Sequence, residues 1–384
     1  MNAVPDRSPR QMRLMEVLEP SGGGSGRHFI DLCRGMQARG HIVHAVYSPV
    51  RADGRFVEEL RALGLAGLHV VAMARAPRPS DFAAWWALRA VMRRAGPFDI
   101  IHAHSSKAGA LSRIRLPGRH VPRVYTPHAF RTMDPGLGIV GRKVYGSIEK
   151  LLARAFTDRL ICVSADEYAH ARALGMPRDR LTIVVNGVDT PPSGSRDGVR
   201  GALGLPASAL LFGFVGRLSH QKAPERLVAG FNLVADQVPH AHLLMIGAGE
   251  MEGAVRRQID ASRHASRMHL TSDFSGPQAM AAIDVLVMPS RYEAMSYAML
   301  EAAAAGKPLI LSDVGGVSTV LKDGENGVLV RNDDAPDHLA AAMLRLCDPE
   351  RFARHAAAAR ARSHDYSLDR MIGETEAIYR MLVA

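Results

Sequence analysis

The sequence predicts an α/β protein of two doubly wound parallel-sheet domains in tandem, and three observations predict it. Apolar, β-branched and leucine-rich runs alternate with helix-length amphipathic segments from end to end. The alternation is broken once, by the Gly-, Pro- and Ser-rich stretch NGVDTPPSGSRDGVRGALGLP, which reads as an interdomain linker. At 384 residues the chain is long enough for two separate cores.

The elements follow in order. MNAVPDRSPRQMR has no apolar stretch of the signal-peptide kind, and residues 1–12 read as a disordered tail. Residues 13–190 carry seven strand candidates: RLMEVLE, IVHAVYS, LHVVAM, DIIHAHS, RVYTPHA, RLICVS and LTIVVNG. Residues 191–365 carry six more: LLFGFVG, HLLMIGAG, RMHLTS, VLVMPS, PLILSD and GVLV. Residues 366–384, YSLDRMIGETEAIYRMLVA, have helical periodicity, with Leu368, Met371, Ile372, Ile378, Met381 and Leu382 as the apolar set. Two Rossmann-like domains of this kind present ligand crevices at the carboxyl ends of their strands, facing one another across a cleft. Function is therefore sought in the strand-to-helix loops.

Composition narrows the classes. A hydrophobic share of 47% with 22% charged residues is that of a globular protein. No run approaches the ~18 apolar residues of a membrane span. Three scattered cysteines, Cys33, Cys162 and Cys347, make neither a disulfide framework nor a metal site, which fits a reducing cytosol. The net charge of +10 is uneven: residues 1–190 hold 28 Lys+Arg against 16 Asp+Glu, while the remainder is slightly acidic. That favours an anionic partner for the first half. DFAAWWALRAVMRRAG, with Trp85, Trp86, Arg89, Arg93 and Arg94, is a basic helix with interfacial aromatics that either lies on a membrane or packs on its sheet. A nucleic-acid partner is not expected, since the basic half has no helix-turn-helix, zinc-ligand or aromatic RNA-binding signature.

Several loops carry chemistry. EPSGGGSGRHF puts Gly22, Gly23 and Gly24 between a strand and a helix starting near Arg27, where backbone amides can approach a phosphate or a sugar. VGRLSHQKAPERL places Arg217 and Lys222 on one loop ahead of Pro224, a fork and a point charge suited to a diphosphate. MIGAGEMEG supplies Gly247, Gly249 and Gly253 after a strand. HAHSSKAG and TPHAFR bring His102, His104, Lys107 and His128 to strand ends. His102 and His104 share a strand face, but no third metal ligand stands near them in sequence, so they read as core or cleft-lining histidines. His128 reads as projecting into the cleft. In PSRYEAMSYAMLEAAAAGKP, Glu293 and Glu301 lie eight positions apart, ~12 Å if the whole stretch were helical, too far for an acid/base pair and suited to bracketing an elongated ligand.

The ordered set SGGGSGRH, HAHSSKAG, TPHAF, VSADE, VNGVD, GRLSHQKAP, IGAGE and SRYEAMSYAMLEAAAAGKP resembles the retaining nucleotide-sugar glycosyltransferases of family 4, of GT-B architecture, over nearly the whole chain after the tail. The resemblance implies an acceptor-binding first domain, a donor-binding second domain and C-terminal helices that cross back to the first. It implies that Glu293 contacts donor-sugar hydroxyls, that Glu301 holds the ribose, and that amides near Met295, Ser296 and Tyr297 meet the diphosphate. Arg217 and Lys222 match the pair that neutralises the leaving group, His128 a histidine near the reacting sugar, and Gly23 and Gly24 the loop over donor or acceptor, while Gly249 lines the nucleotide. No cofactor and no metal are expected, and the chain has no Asp-x-Asp triplet. The resemblance further implies a UDP-sugar in preference to a GDP-sugar as donor. The acceptor it implies is a polyprenyl-diphosphate-linked saccharide of bacterial exopolysaccharide, capsule or lipopolysaccharide synthesis. The place of action it implies is the cytoplasm, peripheral on the inner face of the membrane.

Two departures bear on the donor. Glu-Ala-Met-Ser at 293–296 stands where members often have Glu-Gly-Phe-Gly, and Ser272 replaces a usual glycine in the base-recognition region. Two other classes compete: a GT-B-type nucleotide-sugar epimerase, which needs extra carboxylates in the cleft, and a non-catalytic basic binding protein.

Overall fold

The computed structural model describes residues 10–384 except 116, 117, 119, 135, 190–194 and 294. The chain divides into two compact units, residues 1–185 with 371–384, and residues 186–370.

The first unit is a seven-stranded, wholly parallel sheet of order β3-β2-β1-β4-β5-β6-β7. Its strands are β1 (Arg13–Leu18), β2 (Ile42–Tyr47), β3 (Gly67–Val70), β4 (Ile100–His104), β5 (Arg123–Thr126), β6 (Arg159–Cys162) and β7 (Leu181–Ile183). Between them run α1 (Gly23–Ala38), α2 (Gly54–Ala62), α3 (Ser80–Ala95), α4 (Ser106–Arg113), α5 (Ile139–Ala155) and α6 (Ala165–Ala173). Strands β1, β4 and β5 are buried almost throughout, as expected of a sheet covered on both faces.

The second unit repeats the plan with six parallel strands in the order β10-β9-β8-β11-β12-β13. It holds α7 (Ser195–Ala202), β8 (Leu210–Val215), α8 (Pro224–Ala235), β9 (Ala241–Ile246), α9 (Glu252–Asp260), β10 (Met268–Thr271), α10 (Gly276–Ala282) and β11 (Val285–Met288). It continues through α11 (Tyr297–Ala304), β12 (Leu309–Ser312), α12 (Val317–Val320), β13 (Gly327–Val330), α13 (Pro336–Arg345) and α14 (Pro349–Ala361). Phe212, Phe214, Phe231, Leu243, Val287 and Met343 sit at the centre of its core. All thirteen strand candidates are strands. In each sheet the order reverses once, between β1 and β4 and between β8 and β11, and these switch points are where an open α/β sheet offers a crevice.

Three sequence expectations need correcting. The stretch taken as a linker starts where the second unit starts, but eight of its residues form the helix α7, where Arg196 and Arg200, one turn apart, both bond Asp284, whose Oδ2 also accepts the Leu211 amide at 2.8 Å. Residues 10–12, assigned to a disordered tail, are ordered: Met12 is fully buried with its amide on His41 Nδ1 at 3.2 Å, and Arg10 pairs with Asp99 at 2.8 Å. Residues 1–9 of that tail and 190–194 of the linker lie outside the described residues. The helix expected near Arg27 begins at Gly23, so Gly23, at φ +60°, and Gly24 form its first turn instead of a loop ahead of it.

The last helix, α15 (Leu368–Val383), belongs mostly to the first unit. Ile372 packs so closely on α1 that a Cβ at Gly35 would come 2.1 Å from it, and Glu376 accepts from Arg39 at 2.8 Å. No helix among the described residues is long and apolar enough to cross a membrane.

Candidate functional site

The second unit's residues gather at its switch point. After β8 the chain makes a tight turn in which the amides of Lys222 and Ala223 both donate to Ser219 O, and Ala223 takes a left-handed φ of 49° before Pro224 starts α8. The turn brings the Lys222 ammonium within 2.6 Å of Glu293 Oε1, and it donates to Ser296 Oγ at 3.3 Å. The two loops are also tied through backbone: Arg291 donates its amide to Gln221 O at 2.8 Å and its guanidinium to His220 O at 2.9 Å.

Helix α11 starts only at Tyr297, so Glu293 precedes it and the Glu293–Glu301 stretch is not one continuous helix. Ser296 is its N-cap residue, yet its hydroxyl does not cap the helix. The first-turn amides at this end are positive by the helix dipole. Met295, half-buried, completes the approach. One helical turn further, the Glu301 carboxylate lies over the start of α10, 3.0 Å from where a Cβ on Gly276 would stand. Arg217 is exposed and makes no ion pair among the described residues. Gly249 has a plain structural need: a Cβ there would meet Leu218 O at 2.4 Å, because the β9–α9 loop lies directly on the β8–α8 loop.

The first unit holds a cluster at its own switch point. His128 (φ 53°) and Ala129 (φ 76°) are consecutive non-glycine residues in the left-handed region, a conformation that needs external support. Glu167 supplies it, accepting the Ala129 amide on Oε1 and the Val163 amide on Oε2, both at 2.7 Å. Burial raises the Glu167 carboxyl to about 7 against those two donors. His128 Nε2 lies 3.1 Å from His104 Nδ1, and His104 Nε2 lies 3.0 Å from Glu16 Oε2. The Tyr379 hydroxyl of α15 donates to Glu16 Oε1 at 2.9 Å and bonds His102 Nδ1, whose other nitrogen is 2.8 Å from Thr126 Oγ1. The ring of His28 stands edge-on to that of His128, centroids 4.6 Å apart.

Burial dictates the protonation here. Glu16 is fully buried and its carboxyl is pushed up to about 8, partly opposed by the Tyr379 hydrogen bond. Burial pushes His104 down to about 3 and holds His102 and His128 well below the ordinary imidazole range. With its imidazoles neutral, the chain from Glu16 to His128 has two arrangements. With Glu16 protonated, Oε2–H donates to His104 Nε2, His104 Nδ1–H donates to His128 Nε2, and His128 keeps its own proton on Nδ1. With Glu16 ionised every donor reverses, and His128 Nδ1 becomes an acceptor. Since Nδ1 has no protein partner among the described residues, one buried carboxyl sets the polarity of an imidazole edge free to meet a ligand.

His28, His104 and His128 offer nitrogens within 4.8 Å of one another, a spacing a metal ion could use, although His104 Nδ1 and His128 Nε2 already bond each other. The sequence reading missed His28, Glu16, Glu167 and Tyr379. The available signals were a carboxylate inside the apolar run RLMEVLE and the capping serine of VSADE, whose Oγ accepts the Glu167 amide at 3.1 Å.

A model of the glycosyltransferase family 4 matches residues 22–191, and one of group 1 glycosyl transferases matches residues 209–348. A D-inositol 3-phosphate glycosyltransferase of Thermomonospora curvata is 30% identical over 314 residues, covering 72% of this chain and 71% of its own. The chain belongs to the family 4 glycosyltransferases. This glycosyltransferase is also 30% identical over 261 residues to the UDP-Gal:alpha-D-GlcNAc-diphosphoundecaprenol alpha-1,3-galactosyltransferase of Escherichia coli, over 65% of this chain and 67% of that one. Among solved structures, Anabaena HepE in complex with UDP and glucose superposes with a TM-score of 0.73 at 21% identity, covering 96% of this chain and 100% of its own. That likeness speaks for the fold, and the two parallel-sheet units of the glycosyltransferase are those of the GT-B architecture.

Proposed function

We propose that this glycosyltransferase moves a sugar from a nucleoside-diphosphate sugar, UDP-linked in preference to GDP-linked, to a polyprenyl-diphosphate-linked saccharide, with retention and without a metal. The observation that carries the donor half is the pairing of Lys222 with Glu293 and Ser296 at the start of α11, on the second sheet's switch point. A diphosphate laid there meets the first-turn amides around Met295, Ser296 and Tyr297 on one side and Lys222 on the other. Glu293, released from Lys222, accepts hydroxyls of the sugar, Glu301 takes the ribose, and Arg217 closes over the departing charge. Stabilising that charge is the main demand of the reaction, and two cations with a helix terminus supply what a divalent ion would otherwise provide. The acceptor oxygen attacks on the face from which the diphosphate leaves, with His128 Nδ1 and the Gly23–Gly24 turn of the first unit serving the reacting sugars.

The names of the relatives support this: one takes UDP-Gal to a diphosphoundecaprenol-linked sugar, and one solved relative holds UDP with glucose. The basic first half suits a diphosphate-bearing acceptor and supports a reaction at the cytoplasmic face of a membrane. A second acceptor reading, inositol phosphate, is favoured by the D-inositol 3-phosphate glycosyltransferases among the relatives.

The test is nucleotide release from a panel of nucleoside-diphosphate sugars in EDTA, with diphosphoundecaprenol-linked sugar, with inositol 3-phosphate, and with neither. Release from a UDP-sugar stimulated by the lipid-linked acceptor supports the reading. Stimulation by inositol 3-phosphate alone moves the acceptor, and an absolute requirement for a divalent ion removes the metal-free mechanism.

A further inference from the structure

Helix α5 leaves five large apolar side chains in solvent: Ile139, Val140, Val144, Ile148 and Leu151 are between 43% and 76% exposed. At 100° per residue, 140, 144, 148 and 151 form one stripe, opposite the face that buries Gly146, Glu149, Leu152 and Ala153. A folded chain that left such a stripe facing water would lose the stability its burial could give, and patches of this kind mark interaction surfaces. Lys143, Lys150 and Arg154 run along one flank of the stripe. Beside them an open groove of about 410 Å³ is lined by Ile139, Arg142, Lys143, Ser147, Lys150 and, from the end of α6, Leu174. The helix has a single carboxylate, Glu149, and it points inward, bonded to the buried Arg113 at 2.8 Å and to the Tyr125 hydroxyl at 3.1 Å. Nothing on α5 itself offsets the positive charge of its outer face.

The same layer continues the pattern. Right-handed crossovers put α3, α4 and α5 on one face of the first sheet, with α4 between the other two. There Phe82 and Trp86 of α3 and Ile114 after α4 are exposed as well. Trp85, by contrast, is turned inward, its Nε1 donating to Ile114 O at 3.0 Å. The tryptophan helix is therefore at most an accessory, and the long apolar stripe belongs to α5.

We propose that α5 is the element by which this protein docks on an anionic lipid bilayer, the stripe Val140, Val144, Ile148 and Leu151 entering the acyl boundary while Lys143 and Lys150 on its flank take lipid phosphates in the adjoining groove. An apolar stripe flanked on one side by cations, with no outward carboxylate on its helix, is complementary to an anionic interface. The proposal rests on the membrane-side placement of the acceptor given above, yet its readout does not, because vesicle binding needs neither donor nor acceptor. Failure of docking would leave turnover with a soluble or detergent-dispersed acceptor intact, and a wrong acceptor would leave docking intact.

The experiment is flotation of the full chain with phosphatidylcholine vesicles, with and without phosphatidylglycerol, alongside analytical ultracentrifugation. The wild type should float only with the anionic vesicles. Val144→Ser with Leu151→Ser should weaken binding about tenfold or more. Lys143→Glu with Lys150→Glu should abolish it at low salt, and Trp86→Ala should retain most of it. All these positions are exposed, and circular dichroism checks that each variant is folded. Equal binding to neutral vesicles, or undiminished binding by both α5 variants, would overturn the proposal. So would a stable dimer that Val144→Ser with Leu151→Ser dissociates, because a second copy would then be what covers the stripe.

Discussion

Replacing Glu16 by Gln tests the buried network by its dependence on pH. Gln copies the protonated carboxyl: its carbonyl accepts from the Tyr379 hydroxyl, and its amide donates to His104 Nε2. It does not titrate. In the wild type the folded carboxyl holds its proton up to about 8, whereas the unfolded group releases it near its ordinary value of 4.5. A raised carboxyl favours the folded state fully below 4.5, and that advantage is lost as pH rises from 4.5 through 8. The slope in this window is about 1.4 kcal/mol per pH unit. Between pH 6 and pH 8 the wild type should therefore lose ~2–3 kcal/mol relative to Glu16→Gln, a ceiling that relaxation around the charge lowers. The assay is urea unfolding of both proteins at several pH values, comparing the difference between them so that every other group cancels. Nitrogen-15 spectra of the imidazoles supply the second readout: in Glu16→Gln, His128 should keep its proton on Nδ1 across the range, while in the wild type the proton should shift to Nε2 as Glu16 ionises. A stability difference that stays flat from pH 6 to pH 8 would refute the protonated carboxyl and with it the switching of His128.

Other expectations concern the supports around each set. Lys222→Ala leaves the mostly buried Glu293 without its counter-charge and should cost about 3 kcal/mol in urea unfolding. Adding Glu293→Gln should recover much of that stability, while donor turnover stays ~100-fold or more below wild type if Lys222 holds the diphosphate as proposed. Glu167→Gln can accept only one of the amides of Ala129 and Val163 and should lose about 1–3 kcal/mol; an unchanged melting temperature would argue that the turn at His128 does not depend on it. Ala129→Gly relieves a φ of 76° and should gain about 0.5 kcal/mol after the entropy cost of glycine; a clear loss would mean the conformation is not strained.

Much of this was legible in the chain because the information is local. Strands such as LLFGFVG and VLVMPS announce themselves by apolar texture, and Arg217, Lys222 and Glu293 sit in loops whose place after a strand is readable from flanking residues. What could not be read depends on neighbours distant in sequence. Lys222 meets Glu293 because β8 and β11 are adjacent in the sheet although α8, β9, α9, β10 and α10 separate them along the chain. Glu16 interrupts an apolar strand in a way that an ordinary surface-facing position would, and only its pairing opposite His102 in register, with Tyr379 above, shows it to be interior. Gly247 and Gly249 resemble ligand-binding glycines, but each also clears a neighbouring backbone carbonyl. Helical periodicity in IVGRKVYGSIEKLLARA marks two faces of α5 without saying which is covered, so the two tryptophans of α3 drew the membrane reading instead.

The hydrogen bond from Tyr379 to Glu16 joins positions 363 residues apart. Translation delivers the first strand long before the residue that completes its histidine cluster, and the whole second unit is synthesised in between. A nascent chain still on the ribosome therefore carries Glu16 and its imidazoles without their Tyr379 partner, and a chain that stops early never acquires it. Assembly of the histidine cluster is thereby tied to synthesis beyond the second unit: only a polypeptide extended through α15 has all the parts of that centre.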